Sequence, residues 1–245
     1  MTDPLAALAD LPGVSDMVVE ARAAVDRLLN NRVLRRRSAD VSAESFLRGA
    51  WASAWLSGSR AALDDIRSGA SVADPLVQGA LRCQAAIGSL ADTWPAAPRQ
   101  ALARLHVLAG ADLVDDVNAL GRPAPGSAQR FDTLAAVLAA TRAPAVLVAA
   151  VVHGEVLSLD AFPPVSGIVA RAAARIVFVE RALDPKSLVV LEAGHRELGE
   201  QYDDALAAYR SGSPAGVAQW LRHCCGATVA GAQEAVAICE AILRG

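Results

Sequence analysis

From Val14 to Asn30 the apolar side chains Met17, Val18, Ala21, Val25 and Leu28 or Leu29 recur at three- and four-residue intervals. That spacing lays one stripe of a helix against a core. A second stripe, Phe46, Leu47, Trp51, Trp55 and Leu56, predicts a helix from about Ala43, with Ser42, Glu44 and Ser45 supplying a first turn's polar groups. Helical spacing continues over Leu63–Arg67 and over Pro75–Asp92, where Leu76, Val77, Ala80, Leu81 and Ile87 turn inward. Trp94-Pro95 and Pro98 mark a turn before a helix over Arg99–Asp112, and Gly121–Gly126 is crowded with glycine and proline, as a loop is. Helices follow at Phe131–Thr141, Ala145–Ser158, Val169–Leu183 and Glu192–Tyr209, with a last long one from Ser213-Pro214. Ala145–Ser158 is apolar nearly all round, which predicts a central buried helix. Residues 1–13, interrupted by Pro4 and Pro12, read as a loose arm. No run alternates with the period of a strand, so the expected fold is all-α, with residues 1–40 as arm and first helix and 41–245 as the helical domain.

Composition sharpens this. Hydrophobic residues make up 53% of the chain and aromatics only 4%, with alanine abundant, so helices are expected to meet through small side chains. A net charge of −3 argues against a nucleic-acid partner. The cluster Arg32, Arg35, Arg36 and Arg37 reads as a solvated helix end complementing the dipole, and it alone supports a DNA-binding regulator. The apolar run Ala143–Val152 is about half the ~20 residues of a membrane span. Without a basic N-terminal region, and with Cys83, Cys224, Cys225 and Cys239 read as buried free thiols, the expectation is a cytoplasmic protein without a membrane partner. His223 beside Cys224 and Cys225, with Cys239 further on, lacks a C-x-x-C spacing, and no metal is expected. No G-x-S-x-G follows a strand, so nothing supports a Ser-His-Asp hydrolase.

The stretch Val151–Arg175 joins the apolar helix to the next through a loop, Asp160–Ser166, with two prolines. Backbone N–H groups at a fresh helix start form a ready anion site, here Ser166, Gly167 and Ile168 with Arg171. The segment D-A-F-P-P-V-S-G-I-V-A-R (160–171) resembles the HPFxDGNGRxxR motif of the Fic (Fido) family of nucleotide-dependent protein modifiers. Phe162, Gly167 and Arg171 match it, whereas Asp160, Pro164, Ser166 and Ile168 replace other motif residues. Upstream, S-A-W-L-S-G (Ser53–Gly58) is similar to the family's inhibitory S/T-x-x-x-E-G/N helix. Ser53 and Gly58 match, and Ser57 stands in place of the glutamate. The resemblance implies that this glutamate would face the first loop arginine, whose position is Ile168. It also implies a Fic-like bundle around a central helix–loop–helix, and a target-docking flap near Gly121–Gly126 that is short or irregular here.

In an active family member the loop histidine deprotonates a target hydroxyl, the acidic residue holds Mg²⁺ and the arginines neutralise phosphates. By that resemblance Asp160 takes the histidine position and Pro164 the metal-binding one. A carboxylate is a weaker base than imidazole and repels phosphate, and proline cannot ligate Mg²⁺. The expectation is a degenerate Fic-like protein without catalysis or cofactor, acting through a protein partner or a small anion at the Asp160–Arg171 loop, with homo-oligomerisation open. The alternative is a divergent adenylyl or phosphoryl transferase using ATP and Mg²⁺. Its base would be Asp160 or His153, seven residues earlier and so about two turns back on a similar face. His195, beside Glu192, reads as a surface cap.

Overall fold

The computed structural model describes residues 3–70 and 73–244. Of the predicted arm, Met1 and Thr2 lie outside the described residues. Twelve helices follow one another, and no strand occurs among the described residues.

The arm is not loose. Asp3 accepts the Thr141 hydroxyl (2.7 Å) and the Arg142 backbone N–H (2.6 Å), a short helix α1 (Ala6–Ala9) follows, and Leu5 is buried. Leu5, Leu8 and Leu11 pack on the core and outweigh the prolines, which merely delimit α1. Helix α2 (Val14–Leu29) obeys the amphipathic reading, burying Ala21, Ala24, Val25 and Leu28.

Helix α3 runs Leu34–Leu56, starting well before Ala43 and crossing residue 40. It takes in the arginine cluster with a local break at Arg37 (φ −121°, ψ 24°), and Arg37 pairs with Asp40. Ser45 is not a cap but a fully buried side chain. The face that enters the core is Val41, Ser45, Gly49, Ala50, Ala52, Ser53 and Ala54, while Trp51 and Trp55 are only half-buried. The small residues let neighbouring helices approach, and the tryptophans lie at the edge, where the Arg196 guanidinium stacks over both rings at 4.4 and 4.7 Å.

After α4 (Leu63–Ser68), α5 (Pro75–Thr93) is opened by Asp74, whose carboxylate accepts from Leu76 N (2.9 Å) and Val77 N (3.3 Å) ahead of Pro75 at N1. α6 (Pro98–Gly110) and α7 (Ser127–Ala140) flank the irregular connection 111–126, which contains no strand. The centre is the pair α8 (Ala145–Ser158) and α9 (Ser166–Glu180), in which every residue from Val146 to Val156 is buried. α5, α6 and α3 pack against α9.

The helix expected over Glu192–Tyr209 is two, α10 (Leu191–Glu197) and α11 (Gln201–Arg210), broken at Gly199 with φ +56°. The long α12 (Pro214–Arg244) is apolar and long enough by composition to cross a membrane, yet it packs against α2, α8, α10, α11 and α3. That many neighbours explain its hydropathy as a core helix. The buried strand-like run Leu188–Val190 lies against it, with Val190 N donating to the Gly231 carbonyl (3.1 Å).

Glycine decides how near these elements come. A Cβ at Gly194 of α10 would collide with the Ala227 carbonyl of α12. Gly194→Ala is expected to destabilise the protein by about 2–3 kcal/mol in denaturant melts. Gly88→Ala, in the exposed interior of α5 where an added Cβ meets nothing within 4 Å, is expected to stabilise by up to about 1 kcal/mol.

Candidate functional site

Helix α8 stops at Ser158 and the chain turns at Asp160, held at φ 40°. Ala161 N reaches back to the Val156 carbonyl (3.2 Å), and the Ala161 carbonyl accepts Ala124 N (2.8 Å) from the 121–126 connection. Phe162 is 1% exposed, packed between the His106 ring (5.0 Å) and the Phe131 ring (5.8 Å). It anchors the loop, as a lone aromatic between two prolines and a turn must. Ser166, the first residue of α9, closes the circuit: its hydroxyl accepts Phe162 N (2.9 Å) and donates to Asp160 Oδ1 (2.7 Å). The carboxylate nearest the start of α9 is therefore supplied by the chain itself. Asp160, Pro163 and Pro164 are exposed, and Ile168 is buried.

Arg171, one turn into α9, is 2% exposed. Its guanidinium folds back over Gly167, where a Cβ would sit 3.0 Å from Nη1. It donates from Nε to Ser53 Oγ (3.1 Å) and from Nη2 to the Ser53 carbonyl (2.8 Å) and Ser57 Oγ (2.6 Å). Nη1 meets the Tyr202 hydroxyl at 3.4 Å. No carboxylate pairs with it among the described residues. Ser53 and Ser57 both contact α9, and the partner of Ser57 is Arg171, not Ile168. An isoleucine at the start of α9 goes to the core, whereas an arginine can reach back along the helix. Gly58, at φ +108°, lets the chain leave α3 after these contacts.

One turn later Arg175 shows the contrasting solution. It is equally buried but pairs with Glu192 Oε2 (3.0 Å), whose Oε1 accepts Gln84 Nε2 (2.5 Å).

The structure separates His153 from Asp160. α8 has ended before Asp160, so the two-turn spacing does not apply. His153 lies inside, with Nε2 2.7 Å from the Tyr202 hydroxyl. His195 is not a surface cap either: it is fully buried, with Nδ1 3.0 Å from His223 Nε2. These rings, with Trp220, form one interior cluster. Burial pushes His153 and His195 well below the ordinary imidazole range, reinforced by the Arg171 charge and neighbouring imidazoles, and takes His223 down to about 4. Neutral His153 in this sealed place has no exposed substrate to deprotonate. The four cysteines are buried free thiols, with Cys83, Cys224 and Cys225 raised by burial.

Sequence reasoning missed Tyr202, which joins His153 to Arg171. Nothing local marks it, since its partners lie 49 and 31 residues away. It also missed Glu155, although a lone acid on an apolar helix was the available signal.

The site does not fit Mg²⁺-nucleotide. Pro164 offers no ligand, Ile168 is in the core, and the Arg171 donors are directed at α3.

Two measurements test this account. Ser57→Ala is expected to cost about 1.5–3 kcal/mol, the worth of a hydrogen bond to a charged group. Ser57→Glu is expected to stabilise by roughly 1–2 kcal/mol, because the desolvation of the cation is already incurred and a counter-charge is gained. The histidines set the acid limb: their folded values lie below the unfolded one. Stability is therefore full above about pH 6.5 and falls as pH drops toward about 4, where His223 protonates. Melting temperatures recorded from pH 8 to 4 check this, and His223→Gln is expected to flatten part of the decline.

By sequence, no family model matches the chain and no curated protein matches it. In three dimensions it is similar to the crystal structure of a Fic family protein from Desulfovibrio desulfuricans G20. The TM-score is 0.74, over 92% of this chain and 74% of that one, at 19% identity. The all-α bundle around α8 and α9 is the Fic fold.

Proposed function

We propose that this chain is a Fic-fold protein that has left nucleotide transfer behind and acts by engaging a protein partner at the Asp160–Arg171 loop. The observation that carries the reading is the inward Arg171, bonded to Ser53, Ser57 and Tyr202. Phosphoryl-type transfer depends on positioned cations and a base. Here the arginine serves as a structural tie, the position matching the base holds Asp160 bonded to Ser166, and the position matching the metal ligand holds a proline. The small-anion reading is weaker for the same reason, since an incoming phosphate meets the Asp160 carboxylate at the helix start. What the loop offers to solvent is the turn Asp160, Pro163 and Pro164, anchored beneath by buried Phe162. A stiff exposed turn on a packed base limits the ordering entropy of binding and so suits protein recognition.

The experiment is calorimetric titration with ATP and GTP, with and without Mg²⁺, beside a transfer assay using nucleotide labelled at the α-phosphate. No heat at millimolar nucleotide and no labelled protein are expected. A dissociation constant tighter than about 100 μM that Arg171→Ala abolishes would restore the nucleotide site. Label transfer lost in Asp160→Ala would overturn the reading in favour of a divergent transferase.

A further inference from the structure

A cleft of about 600 Å³ opens between α1, α7, the C-terminal turns of α8 and α11, and the start of α12. That volume is within the range of small-molecule sites. Leu8, Val151, Leu159 and Val217 supply an apolar wall. The polar end is organised by Glu155, 7% exposed on a helix that carries no other acid. Its carboxylate accepts Arg130 Nε (2.5 Å) and Nη2 (3.0 Å) and the Tyr209 hydroxyl (2.7 Å). Arg210 stands on the same rim, with Nη2 on the Leu157 carbonyl (3.1 Å).

Counting charges decides what this cleft would hold. One carboxylate, engaged by two partners, faces two guanidinium groups, so the polar end keeps a net positive charge. The Arg130 side chain is 61% exposed, which leaves its outer edge open to solvent. An amine would meet two cations and a carboxylate already taken. A polyphosphate would lie against an apolar wall that returns no hydrogen bonds.

We infer that this cleft binds a small amphipathic monocarboxylate of the fatty-acid class, its carboxylate against Arg210 and the outer edge of Arg130 and its chain along Leu8, Val151, Leu159 and Val217. The Arg130–Glu155–Tyr209 triad holds the polar end in place. Burial and the adjacent carboxylate raise the Tyr209 phenol far above its ordinary range, so it stays a donor. Neither Ser166 nor Arg171 lines this site.

The test is calorimetry of the full chain with octanoate, 1-octanol and octylammonium as probes. Octanoate is expected to bind with a dissociation constant below about 1 mM, at least about tenfold more tightly than octanol, and octylammonium not at all. Arg210→Gln, on the exposed rim, is expected to weaken octanoate about tenfold and to leave octanol unchanged. Val217→Trp, which fills the apolar wall, is expected to block octanoate, with circular dichroism reporting that each variant is folded. No octanoate heat at about 5 mM, equal affinity for octanol and octanoate, or an Arg210→Gln protein that binds normally would each overturn the inference.

Discussion

A buried guanidinium with only neutral acceptors sets the terms for the centre of this protein. Arg171 joins α9 to the end of α3 and to α11 through two serines and a tyrosine, with no carboxylate paired to it among the described residues. A charge taken out of water needs strong compensation, and hydrogen bonds to a carbonyl and hydroxyls are the least that suffices. The neighbouring imidazoles answer to the same cation: its field adds to burial in keeping His153 and His195 neutral. Arg175, one turn along, has Glu192 and makes no such demand on its surroundings.

The loop is held by shape and by main-chain contacts. Phe162 plugs the space between His106 and Phe131, and the main-chain bond from Ala124 pins the turn. These contacts need only shape and a backbone amide. Its polar groups turn toward one another and toward α3. Asp160 and Ser166 satisfy each other, and the arginine turns to α3 instead of to solvent.

Most helices were legible because their buried faces carry bulky residues at regular spacing, as in α2 and α5. α3 was misread at its start and on its face for one reason: its core side is serine, glycine and alanine, which leave no hydrophobic signature. The division between α10 and α11 rests on Gly199 alone, and one glycine in a periodic run is a weak stop signal. The loop's motif could be seen, and so could its link to Ser53 and Ser57. Which arginine Ser57 would meet could not, since that contact closes across 114 residues. The burial of His195 was equally hidden, because a histidine beside a glutamate looks the same at a surface as in a core.

The glycine seam between α10 and α12 bears on how the molecule can deform. At Gly194, and again at Gly231 beside Val190, backbone lies directly on backbone, with no side-chain cushion to shear. Such a joint resists sliding in the way a keyed shaft does. α11 is keyed to α12 in the same way, at Gly216 against the Ala208 carbonyl, so Tyr202, Tyr209 and Arg210 are held together on one fixed helix. One short helix thus sets the polar end of the outer cleft and a partner of the core arginine in a single rigid frame.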